Sequence, residues 1–83
     1  MIKIFLLPQA REDLEKIYDP LFSGIISRIR LLIEFPSLGP VMDGVFTGYR
    51  ALTVGIFRIV YRIPSKDDIE VGYIRHCQRK PLA

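Results

Sequence analysis

GYRALTVGIFRIVYRI, residues 48–63, is the stretch around which the rest of the chain has to be arranged. Valine, isoleucine, tyrosine and phenylalanine dominate it, and such residues fit a pleated, half-buried surface. Gly55 stands in the middle, where a hairpin needs a residue that tolerates a turn or a bulge. The second half alternates. Phe57, Ile59, Tyr61 and Ile63 share one side, and Ile56, Arg58, Val60 and Arg62 share the other. One side suits a core; the other carries two guanidinium groups. Arg50 is read at the corresponding position of the preceding strand, so the stretch predicts a β-hairpin that presents arginines.

Working outward, Ile2–Leu7 is apolar except for Lys3 and reads as a short strand. Pro8 suits the first turn of a helix, where its missing N–H is not needed. Ala10, Leu14, Ile17 and Tyr18 then recur at helical spacing. Glu12, Asp13 and Lys16 on the other side are spaced for weak surface pairs. Asp19-Pro20 closes this helix and opens the next, with Asp19 as its N-cap. In the second helix Phe22, Ile25, Ile26, Ile29, Leu32 and Ile33 form one apolar stripe. Gly24 inside it costs about 1 kcal/mol relative to alanine, and close packing against the first helix is the expected reason. Pro36 ends the helix, and Pro36, Gly39, Pro40 and Gly44 set the turns of the loop that follows. Beyond the hairpin, residues 64–68 form a polar turn and 69–77 a last strand.

The expected class is α+β, in the order β-α-α-β-β-β. A helical hairpin of residues 8–19 and 21–35 covers one face of an antiparallel sheet built from 48–54, 56–63 and 69–77, with 2–7 joining at an edge. The 83 residues are expected to make one domain, 1–83, with one modest core. Hydrophobic residues make up 49% and charged residues 25%, a globular rather than a disordered composition. The formal charge of +3 favours an acidic protein or a nucleic-acid backbone as partner. A single cysteine, Cys77, precludes an internal disulfide and suits a reducing cytoplasm. The apolar start is too short for a signal peptide, and no stretch is long enough to span a membrane.

Four pieces together carry a resemblance: AREDLEKIYD at 10–19, the P-x-x-G of Pro36–Gly39, GYRALTVGIFRIVYRI at 48–63, and IRHCQRKPLA at 74–83. In this order they resemble the RelE/ParE superfamily of toxins from type II toxin–antitoxin pairs, the plasmid stabilisation or addiction modules. The resemblance implies a cytoplasmic protein neutralised by a cognate antitoxin, with which it can form a toxin–antitoxin hetero-oligomer. It implies one of two targets. RelE-like toxins are mRNA interferases that cleave mRNA on the ribosome with basic side chains and often a C-terminal tyrosine; ParE-like toxins are inhibitors of DNA gyrase. By position, Arg50 and Leu52 fall where RelE-like toxins often carry basic residues, Arg58 matches the arginine of the third strand, and Arg79 the one after the last strand. Leu52 is apolar and no tyrosine follows Arg79, while the ending HCQRKPLA is similar to ParE endings. The ParE-like reading is therefore preferred over the ribonuclease, with a degenerate toxin that only binds antitoxin as a third.

The chemistry of the side chains agrees. Cleaving RNA through its own 2′-OH needs a base, a cationic stabiliser and an acid. Arg50, Arg58 and Arg79 supply charge, but His76 alone is suited to moving a proton near neutral pH. As a ribonuclease the chain would have to use these four. As a binder of target or antitoxin it would use Arg50, Arg58, Arg62 and Arg79. Tyr49, Phe57, Tyr61 and Tyr73 are expected in the core by their parity. One cysteine and one histidine make no metal site, and no P-loop or dinucleotide fingerprint calls for a cofactor.

Overall fold

The hairpin forms where the sequence predicts it. In the computed structural model, which describes residues 1–76, Val54 pairs with Phe57 across a two-residue turn. Gly55 takes the first central position at φ +60°, a conformation that side chains other than glycine rarely adopt. The strands on either side are β2 (Arg50–Val54) and β3 (Phe57–Ser65), and β3 continues into β4 (Asp68–His76). The turn after β3 is shorter than expected, because Pro64 stays in the strand. It sits at a register irregularity between Arg62 and Ser65, where a missing N–H is tolerated.

One pairing differs from the expected antiparallel meander. β1 (Lys3–Leu6) does lie at an edge, but it runs parallel to β4, with Lys3 opposite Asp68 and Leu6 opposite Val71. The sheet is mixed, in the order β1-β4-β3-β2. Parallel pairing needs a long crossover, and the two helices supply it by carrying the chain from one edge to the other.

The helices are shorter than the sequence suggests. α1 (Pro8–Glu15) stops before the Asp19-Pro20 step, where a helical conformation is disfavoured for the residue ahead of proline. α2 (Leu21–Leu31) is opened by Asp19, whose carboxylate accepts from the Ser23 N–H at 3.0 Å and from its hydroxyl at 2.6 Å. From Leu32 to Glu34 the N–H groups reach back three residues rather than four, tightening the chain ahead of Pro36. That tightening turns Ile33 out of the apolar stripe, leaving it 45% exposed while Leu32 is fully buried.

The core lies between helices and sheet. Ala10 and Leu14 come from α1, Ile25, Ile29 and Leu32 from α2 and its extension, and Leu52, Ile59, Tyr61, Ile69, Val71 and Ile74 from the sheet. Gly24 abuts β2 rather than the first helix: a methyl group there would meet Val54 Cγ1 at 3.8 Å, an ordinary contact. Gly24→Ala should therefore stabilise the chain by about 0.5–1 kcal/mol, mainly by restricting the unfolded state. A thermal melt should show the midpoint rising; a fall would mean that α2 sits closer to β2 than described. No helix among the described residues is long and apolar enough to cross a membrane.

Candidate interaction face

Of the predicted site residues, Arg50, Arg58, Arg62 and His76 are among those described, and they do not share one place. Arg50 has the parity of Leu52 and Tyr61, so it stands on the helix side of the sheet, opposite to Arg58. Its guanidinium donates to the Gly39 carbonyl at 2.7 Å and approaches that of Ser37 at 3.4 Å. Tyr61 engages the same loop. Its hydroxyl accepts from the Gly39 N–H at 3.0 Å and donates to the Pro36 carbonyl at 2.8 Å. The P-x-x-G segment is thus a knuckle clamped by two side chains from neighbouring strands. Burial pushes the Tyr61 phenol above the usual tyrosine range, partly offset by the Gly39 N–H and by Arg50. Arg50 is a brace on this loop.

The opposite face of the sheet holds Arg58 and Arg62. Arg62 is neutralised: its Nε lies 2.7 Å from Glu70 Oε1, its guanidinium carbon is 5.9 Å from the Tyr49 ring centroid, and Glu70 raises its pKa. Arg58 is exposed, opposite Thr53 on β2 and Arg75 on β4. Arg75 was not singled out by the sequence, because strict alternation along β4 puts Tyr73 in the core with Val71. A bulge at Gly72 breaks that alternation: Tyr61 pairs with Val71, but Val60 already pairs with Tyr73. Tyr73 and Arg75 therefore join the arginine face, and Arg75 lies 4.5 Å over the Tyr73 ring. A glycine inside a strand pattern is the signal that could have shown it.

The aromatic set accordingly divides. Tyr61 is fully buried and Phe57 packs against the core, as expected. Tyr49 and Tyr73 lie instead beneath arginines on the other face. That face is not bare. The 3₁₀ turn Gly44–Phe46 brings Phe46 edge-on to Tyr73, with ring centroids 6.4 Å apart, and Val60 in the same row is only 2% exposed.

His76 ends β4 opposite Phe57, with ring centroids 5.0 Å apart and the planes at 69°. It borders a cleft of about 360 Å³ with Asp13, Lys16, Ile17, Phe57, Ile74 and Arg75. Asp13 makes no pair with Lys16. Its carboxylate accepts from the Ile74 N–H at 2.9 Å and from Gln9 at 2.9 Å, tying α1 to the β4 backbone. Arg79 and Cys77 lie outside the described residues. Among those described, no group of histidine, cysteine and carboxylate side chains is arranged to hold a metal ion.

The fold has clear relatives. The chain superposes on a toxin–antitoxin complex, RelBE2 of Mycobacterium tuberculosis, with a TM-score of 0.79 at 19% identity, covering 90% of this chain and 96% of that one. A chromosomal ParDE system from P. aeruginosa gives 0.75 at 20% identity, covering 94% and 98%. The intact RelBE complex of E. coli gives 0.78 at 13% identity, covering 95% and 100%. No curated protein sequence matches the chain significantly. A family model does, and it runs through both helices, the P-x-x-G knuckle and all of β2 to β4. Matched over residues 4–81, the chain belongs to the ParE toxin family of type II toxin–antitoxin systems.

Proposed function

We propose that the chain inhibits growth by binding a protein target, DNA gyrase as in ParE-like toxins, and that a cognate antitoxin neutralises it. The observation that carries this reading is the separation of Arg50, Arg58 and His76, the candidate ribonuclease groups among the described residues. Arg50 faces the helices and is spent on the Gly39 carbonyl, Arg58 faces the opposite side, and His76 packs against Phe57 at the strand end. Phosphoryl transfer needs its acid, base and charge stabiliser around one phosphate. Losing one such group typically costs about 10²–10⁴-fold in rate, so a site with its groups divided in this way is a poor nuclease. The similarity to toxins solved together with antitoxins supports the second half of the proposal.

Purified toxin should block supercoiling of relaxed plasmid by gyrase, and induction without antitoxin should leave mRNA intact on translating ribosomes. Codon-specific cuts that appear on induction and vanish in His76→Ala would replace this reading with that of an mRNA interferase.

A further inference from the structure

Thr53, Arg58 and Arg75 form one row across the sheet on the face away from the helices, at the end where the β2–β3 hairpin turns. Directly opposed cross-strand residues hold their Cβ atoms about 4.5–5.5 Å apart, and like charges placed so repel. Nothing described in the chain offsets that repulsion. The ion pair between Arg62 and Glu70 is the only one among the described residues, and it lies two rows away.

The row also has a firm backing. Arg75 is laid over Tyr73, Tyr73 is met by Phe46, and the adjacent Val60 is buried. One guanidinium is therefore held in position beside another that has no partner, with a threonine hydroxyl at the side. Two arginine forks presented together match the geometry of an oxyanion, and a carboxylate can accept from both.

We propose that Arg58 and Arg75 form a clasp for a carboxylate on an acidic segment of a partner protein. The proposal rests on the reading of the chain as a binder of proteins. Charge distribution favours a protein over a nucleic acid. A phosphate backbone is held by several cations along a track, whereas here the next row, Ala51–Val60–Tyr73, is uncharged and the row beyond it is neutralised by Glu70. Among the described residues of this face Arg58 and Arg75 are the one pair of opposed cations, with Lys3 standing apart on β1 opposite Asp68, an arrangement suited to one acidic side chain at a time.

The test is a titration of the toxin with poly-L-glutamate, followed through the arginine Nε–Hε NMR signals, with a single-stranded oligonucleotide of matched length as comparison. Arg58 and Arg75 should shift saturably while Arg62 stays in place. Arg58→Ala and Arg75→Ala should each weaken binding about tenfold or more, the scale of a lost hydrogen bond to a charged group. The double variant should lose little beyond either single one, because the two arms hold the same carboxylate. Arg75→Lys should also bind more weakly, since it keeps the charge but not the fork.

Three results would overturn the clasp. One is tighter binding of the oligonucleotide through the same two signals; another is equal movement of every arginine. The third is Arg75→Ala lowering the melting temperature with binding untouched, which would make Arg75 only a cover for Tyr73. Saturable glutamate binding by a toxin that leaves gyrase active would keep the clasp and remove gyrase as the target.

Discussion

Tyr61→Ala should leave the chain largely unfolded at 25 °C. The side chain is fully buried, and truncating a buried aromatic residue costs about 3–5 kcal/mol. The hydroxyl also satisfies the Gly39 N–H and the Pro36 carbonyl, and each buried group left unpaired costs about 1–3 kcal/mol more. The sum rivals the whole stability of a small domain, about 5–15 kcal/mol with short chains near the lower end. Tyr61→Phe isolates the polar part. It keeps the ring and should cost about 1–3 kcal/mol, read as a lower urea midpoint with the slope unchanged. Combined with Arg50→Ala it should lose less than the sum of the two single changes, since both residues hold the same loop.

The phenol also sets an alkaline limit. Its folded pKa is raised by burial, so its contribution is intact below the ordinary tyrosine value and is lost as pH climbs from there through the folded one. In Tyr61→Phe that part of the alkaline loss should be missing. An unchanged alkaline limb would mean that the phenol is wetter than described.

Gly39→Ala is the second large effect, and it contrasts with Gly24→Ala. A methyl group on Gly39 would stand 2.7 Å from the Ala51 carbonyl oxygen, 3.0 Å from its carbon and 3.1 Å from Tyr61 Cε1. The first two obstacles are main chain and the third is a buried ring, so none can swing aside. Overpacking of this kind costs about 1–3 kcal/mol, and here it also pushes at the Tyr61 hydroxyl bridge and at the Ala51 N–H to Pro40 bond. One substitution, glycine to alanine, should thus lower the denaturation midpoint at position 39 and raise it at 24. Equal stability of Gly39→Ala and the parent would show that the knuckle moves freely on β2.

The alternation of Phe57, Ile59, Tyr61 and Ile63 was enough to place the core against β3, because period-two patterning leaves little choice when one face must be buried. Arg58 and Arg62 on the other face follow from the same pattern. Arg50 misleads, since its role depends on a loop that folds back beside β2, and no local pattern reveals the Gly39 carbonyl waiting there. Arg75 was hidden by one extra residue: the Gly72 bulge moves both Tyr73 and Arg75 to the opposite face from the one that simple alternation assigns. The parallel edge was hidden as well. A short apolar strand such as β1 pairs equally well in either direction, and only the crossover through the helices fixes which.

That crossover has a consequence for how the molecule is made. Because Lys3–Leu6 pairs with Asp68–Val71, the first strand to leave the ribosome waits for the last one before it has a neighbour. The helical hairpin can form early from local contacts, whereas closing the sheet across most of the chain carries the entropy of a long loop and is intrinsically slow. Until then the arginine rows lack the β4 half of their partners, Arg75 and Glu70, and the candidate interaction face exists only once β4 has been made. The row that holds Arg58 and Arg75 is therefore completed only when β4 docks on β3, after both helices and the β2–β3 hairpin have been made.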